Sequence, residues 1–105
     1  MLPYDEHTPT YDLQQVQWLV GQGELTCFIS ETALLGGDAL SIDRAGIVDV
    51  VLSLEPKDFY KTMPAERALG LWQDVYHRWF RGIELYIKLQ IDRRGCAVVV
   101  QFKRR

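Results

Sequence analysis

The sequence predicts an α+β protein, with N-terminal helices packed on a C-terminal antiparallel β-sheet. Three observations lead there. Apolar residues recur at helical spacing through the first half of the chain, the apolar period drops to two after Trp72, and two alternating runs flank the turn-forming stretch Asp92-Arg93-Arg94-Gly95. The chain has 105 residues, 48% of them apolar and 25% charged. That is the size and composition of one compact domain over 1–105.

The helices come first. In TYDLQQVQWLV, Leu13, Val16 and Val20 fall on one helical face, Thr10 or Asp12 can cap the start, and Gly21 can stop the run. Ser30 caps a short helix in SETALLGGDAL, which the Gly36-Gly37 pair is expected to end or weaken. By periodicity IVDVVLSL suits a buried strand as well as a buried helix; Asp43 as an N-cap turns the expectation to helix. Pro56 fits the first position of a further short helix running from Lys57 to Met63. At roughly 100° per residue, Phe59 and Met63 would share one side of it and Lys61 would face the other way.

The strands follow. Leu85, Ile87, Leu89 and Ile91 alternate with Glu84, Tyr86, Lys88 and Gln90; Cys96, Val98, Val100 and Phe102 alternate with Ala97, Val99, Gln101 and Lys103. Closing the turn across Asp92 and Gly95 pairs Leu89 with Val98, Ile87 with Val100 and Leu85 with Phe102, so core meets core. It also sets Tyr86 opposite Gln101 and diagonal to Lys103. WQDVYHRWF joins through a tight turn at Arg81-Gly82, with His77 opposite Tyr86. One sheet face thus gathers Gln73, His77, Tyr86, Lys88, Gln101 and Lys103, while Trp72, Tyr76, Trp79 and Phe80 are assigned to core or edge packing.

Several function classes are disfavoured. The opening MLPYDEHTPT lacks a basic leader, and no stretch approaches the roughly 20 apolar residues of a membrane span, so a cytoplasmic protein without membrane contact is expected. Cys27 and Cys96 stand outside any CxxC spacing, and His7 and His77 add no ligand pattern; reduced thiols, no metal and no cofactor are expected. The net charge of −2 conceals a division. Residues 1–60 hold ten acids and two bases, and residues 61–105 hold ten bases and four acids. Such a division suits a polyanion-binding face carried by the second half.

The polar face holds cations, a phenol, an amide and an imidazole, without a carboxylate triad. RNA can be cut by such groups. A base activates the 2′-hydroxyl, cations stabilise charge on phosphorus, and an acid protonates the leaving 5′-oxygen, each contributing roughly 10²–10⁴-fold. By itself, however, a strand face bearing lysines is usually just a solvated one.

The ordered set KDFYKTM, WQDVY, LYIK and VVVQFK, with TPTYDLQQVQWLV before it, resembles the motility quorum-sensing regulator (MqsR) toxin family over nearly the whole chain. The resemblance implies a type II toxin–antitoxin ribonuclease with a fold similar to the RelE-like mRNA interferases, an mRNA substrate, a cognate antitoxin protein, and DNA binding only through the antitoxin complex. It implies catalytic roles for Lys61, Gln73, Tyr86 and Lys103. Lys61 falls to phosphate contact or general base, Gln73 to positioning, Tyr86 to proton transfer or base stacking, and Lys103 to charge stabilisation. His77, Lys88, Gln101, Arg104 and Arg105 are candidates for substrate binding, the two arginines through backbone phosphates. Between Met63 and Trp72 the chain departs from the family pattern. The alternative is a non-catalytic RNA- or ribosome-binding module neutralised by a partner protein.

Overall fold

A computed structural model describes residues 5–105. Among these residues three helices, α1 (Leu13–Gly21), α2 (Glu31–Asp38) and α3 (Arg44–Ser53), cover one face of a five-stranded sheet. Its strands are β1 (Cys27–Ile29), β2 (Phe59–Pro64), β3 (Trp72–Phe80), β4 (Ile83–Ile91) and β5 (Ala97–Arg104), in the order β1-β5-β4-β3-β2. All neighbours are antiparallel except β1 and β5, so the sheet is mixed.

The helices start where short polar side chains satisfy their first amides. The Asp12 carboxylate accepts from the Gln14 amide, the Ser30 hydroxyl from Ala33 and the Asp43 carboxylate from Gly46. Asp12 is therefore the cap of α1, and IVDVVLSL lies within and just beyond helix α3. The Gly36-Gly37 pair does not end α2, which runs through it to Asp38. Its glycines serve packing instead. A Cβ on Gly36 would lie 1.8 Å from the Phe102 carbonyl oxygen, and one on Gly37 would lie 2.7 Å from that of Ile42. The missing side chain of Gly36 lets α2 lie directly on β5, and that of Gly37 lets it meet Ile42 and Ile47.

KDFYKTM is not a helix. Only Pro56–Asp58 form a 3₁₀ turn, after which Phe59–Pro64 extend as edge strand β2 against β3. The run of Phe, Tyr, Thr and Met favours a strand once a partner is present. Strand β1 had no counterpart in the sequence expectation; three residues are too few for a period to show.

The β4–β5 hairpin also differs from expectation. Its loop closes across Asp92 and Cys96, with Gly95 at φ 84° and the Asp92 carboxylate accepting from the amides of Arg94 and Cys96. This three-residue loop shifts the pairing by one, so Ala97 and Val99 enter the core in place of Cys96, Val98 and Val100. A bulge between Lys88 and Leu89 then adds a second shift. Beyond it Tyr86 pairs with Lys103, Lys88 with Gln101, and Ile87 with Phe102. Two shifts restore the original parity, so Phe102 is in the core and Gln101 and Lys103 keep the opposite face. By contrast the β3–β4 hairpin is as expected: Arg81 and Gly82, both at positive φ, form its two-residue turn, and His77 pairs with Tyr86.

The core lies between helices and sheet, with Val16, Val20, Ile47, Val50 and Val51 facing Tyr76, Leu85, Ile87, Leu89 and Phe102. On this same side the segment before α1 straps β2 and β3. The Thr62 amide donates to the Glu6 carbonyl at 2.8 Å, and the buried Asp74 carboxylate accepts from the amides of Thr10 and Tyr11.

Candidate functional site

The sheet face turned away from the helices carries the residues that the sequence singled out. His77, Tyr86 and Lys103 form one cross-strand row over β3, β4 and β5. Val75, Lys88 and Gln101 form the next, with Lys61 added from β2. Gln73 lies one pair further, its Nε2 donating to Gln90 Oε1 at 3.0 Å.

Lys61 reaches this face by an irregularity in β2. Phe59 packs edge-on against Tyr76 on the core side, with ring centroids 5.7 Å apart, and Thr62 is buried on that side too. A bulge between Phe59 and Lys61 inserts Tyr60, and strand parity then directs Lys61 to the polar face. Tyr60 itself stacks on the His77 ring at 4.2 Å. Lys61 is thus delivered by a bulged edge strand rather than by a helical turn.

The rings and cations interleave. His77 lies 5.8 Å from Tyr86. Above the Tyr86 ring stand the Nζ atoms of Lys103 at 5.2 Å and Lys88 at 5.8 Å; near the Tyr60 ring stand Lys61 at 5.6 Å and the Arg105 guanidinium at 5.9 Å. Arg105 is fixed there by Glu84, at 2.7 Å. Arg104 is not brought to this face: it pairs with core-facing Leu85 and so has the parity of the helix side.

These surroundings alter the titrating groups. Burial pushes the Lys88 ammonium below the usual lysine range; Glu66 opposes this, while the charges of Lys103 and Lys61 add to it. Burial likewise lowers His77, with Arg105 adding to the effect and Glu84 opposing it, which favours the neutral imidazole. Tyr86 is pushed up, mainly by burial and further by Tyr60, and stays a protonated phenol.

A cleft of about 360 Å³ opens beside the lysines, lined by Glu66, Arg67, Gln73, Lys88, Val100 and Gln101. The departing segment between Met63 and Trp72 forms its outer wall. A larger cavity, about 570 Å³, lies under the N-terminal strap, but its walls include Asp12 and Glu55 and no basic residue. It is unsuited to an anion. Among the described residues no group of His, Cys, Asp and Glu is arranged to hold a metal ion.

Three residues of this face were missed. Trp79, assigned to packing, is 68% exposed; the parity it shares with Gln73 and His77 was the available signal. Tyr60 has no role in the sequence expectation, because its bulge is invisible to local pattern. Arg67 sits in a loop whose path no periodicity describes.

An α+β protein with a sheet face of lysines interleaved with aromatic rings has the chemistry to hold a phosphodiester. The family model described as "Motility quorum-sensing regulator, toxin of MqsA" matches residues 8–104. Over 99 residues, 94% of this chain and 97% of the relative, the sequence is 32% identical to the mRNA interferase toxin MqsR of Escherichia coli (strain K12). The chain belongs to the MqsR toxin family.

Proposed function

We propose that this chain is the toxin of a type II toxin–antitoxin pair: an endoribonuclease that cleaves mRNA by 2′-hydroxyl attack and so arrests translation. The observation that carries the reading is the convergence of Lys61, Lys88, Lys103 and Tyr86 from three strands onto one face. Helices on a largely antiparallel sheet also suit a RelE-like fold.

The roles follow from charge and proton inventory. Lys88, whose ammonium is disfavoured where it stands, takes the proton of the 2′-hydroxyl. The resulting oxygen attacks the adjacent phosphorus, and Lys61 and Lys103 stabilise the charge that builds on the phosphoryl oxygens. Tyr86, protonated and between them, gives its proton to the departing 5′-oxygen. The products are a 2′,3′-cyclic phosphate and a 5′-hydroxyl. Gln73, held by Gln90, positions the ribose or phosphate, and Gln101, Arg105 and His77 contact the substrate. Arg104, on the other face, is left out of this set.

A purified sample incubated with a defined RNA and a chelator is expected to yield those ends. Lys61→Ala and Lys103→Ala should each lower the rate by about 10²-fold or more in proteins that keep their circular dichroism and Tm. A folded wild-type protein that leaves RNA intact, both alone and with translating ribosomes, sinks the proposal. The ring–cation rows also favour a second reading, a non-catalytic RNA- or ribosome-binding module; binding without new RNA ends would select it. In either case a cognate antitoxin protein holds the toxin in the cytoplasm, and contact with DNA runs through that partner.

A further inference from the structure

Trp79, 68% exposed, is the largest side chain left open on the polar sheet face. On the same face its pair across β4 is Glu84, its neighbour along β3 is His77, and the next strand brings Arg105. Core-facing neighbours such as Tyr76 and Phe80 lie on the reverse side of β3. A tryptophan flanked by an imidazole and an ion pair is poor protein-docking surface, which gathers apolar residues at its centre. Flat rings alternating with cations are what a flexible polyanion with π-faces requires.

The spacing fits that ligand. Two residues along a strand advance about 7 Å, so Trp79 stands roughly one nucleotide's reach beyond His77. His77 is already half of a ring pair, stacked on Tyr60 at 4.2 Å. Lys61 and Arg105 both lie within 6 Å of the Tyr60 ring, at 5.6 and 5.9 Å, positioned to meet the phosphates between stacked bases. The Glu84 carboxylate does not repel them, because Arg105 pairs with it at 2.7 Å.

From this arrangement we infer that Trp79, with the Tyr60–His77 pair, forms a base-stacking subsite for single-stranded RNA beside the lysine cluster. The inference rests on the proposed RNA substrate and goes beyond it by extending the bound strand toward the Arg81-Gly82 end of β3. Trp79 acts there as a binding residue. Because every base has a π-face, the subsite adds affinity at that nucleotide without dictating its identity.

The test compares wild type with Trp79→Ala and Trp79→Phe, using a short single-stranded RNA made uncleavable by 2′-O-methylation, with Tm as the folding control. Trp79→Ala is expected to weaken binding about tenfold, with Trp79→Phe close to wild type. The slope of log K against log salt stays unchanged, because no phosphate contact is removed. With cleavable RNA the loss appears in KM rather than kcat. Equal binding by Trp79→Ala and wild type overturns the inference, as does a loss confined to capture of a protein partner. A wild type that binds but makes no ends defeats the ribonuclease reading alone, and the Trp79→Ala arm still decides the subsite. A wild type that binds no RNA defeats both.

Discussion

Lys88 sits on the site face where its own charge is disfavoured. Burial disfavours its charge, and Lys103 and Lys61 add to that effect despite the opposing Glu66. Between its depressed folded pKa and the ordinary lysine value, the unfolded chain binds more protons than the folded one, so stability rises with pH across that window. Lys88→Met keeps the aliphatic stem and removes the buried charge. It is expected to raise Tm while weakening RNA binding, with the gain over wild type shrinking as pH rises through that window, which thermal melts of both proteins at several pH values will show. In the cleavage step Lys88 acts as the neutral base. The rate should therefore rise as pH climbs through its depressed pKa, and Lys88→Met should remove that rise, measured by cleavage of a defined RNA at several pH values. Lys61 and Lys103 contribute differently. Each substitution to alanine should reduce the salt slope of binding by about 0.7 if each meets one phosphate of a single strand.

Two irregularities in the strands set the site. The bulge at Tyr60 turns Lys61 to the polar face while Phe59 and Thr62 keep the edge strand anchored to the core. The bulge in the β4–β5 ladder undoes the parity change made by the hairpin loop, and so returns Lys103 to the side of Tyr86. Helix α2 holds β5 in that geometry through Gly36, where a Cβ would lie 1.8 Å from the Phe102 oxygen and 3.5 Å from the Lys103 Cβ. The obstacle is backbone and cannot rotate away. Gly36→Ala is expected to destabilise by about 1–3 kcal/mol in urea unfolding, in spite of alanine's better helix propensity. The displaced β5 should lower cleavage as well. A Gly36→Ala protein as stable as wild type would mean that α2 does not press on β5.

The elements are joined into one body by buried polar ties as well as by the core. The Asp74 carboxylate reaches from β3 to the amides of Thr10 and Tyr11, Thr10 bonds Thr62 at 2.7 Å, and the Tyr11 hydroxyl donates to the Trp72 carbonyl at 2.7 Å. Asp74→Ala leaves the part-buried Thr10 and Tyr11 amides without their acceptor and is expected to cost about 1–3 kcal/mol. Faster hydrogen exchange at Thr10 and Tyr11, rather than across the sheet, would place the loss at the strap. The charge division acquires a spatial meaning at this level. Helices α2 and α3 contribute Glu31, Asp38 and Asp49 on one side, and the sheet's other side contributes Lys61, Lys88, Lys103 and Arg105.

Much of this architecture was legible in local pattern. Caps at Asp12, Ser30 and Asp43, the period change after Trp72, and the Arg81-Gly82 turn are short-range features, and each depends on residues within a few positions of one another. Membership of the polar face was legible for the same reason. Period-two parity put Gln73, His77, Tyr86, Lys88, Gln101 and Lys103 together, and it survived a register error of two because such a shift leaves faces unchanged. What local pattern could not reach were features decided by a distant partner. Strand β1 exists because β5 offers it a parallel edge, KDFYKTM is extended because β3 pairs with it, and Gly36-Gly37 remain helical because Phe102 and Ile42 lie against them. One-residue bulges likewise have no composition signature, since the extra residue is defined only by the strand opposite. Residue type and parity therefore chose the chemistry of the face, while long-range pairing determined how Lys61 arrives there and which rings it meets.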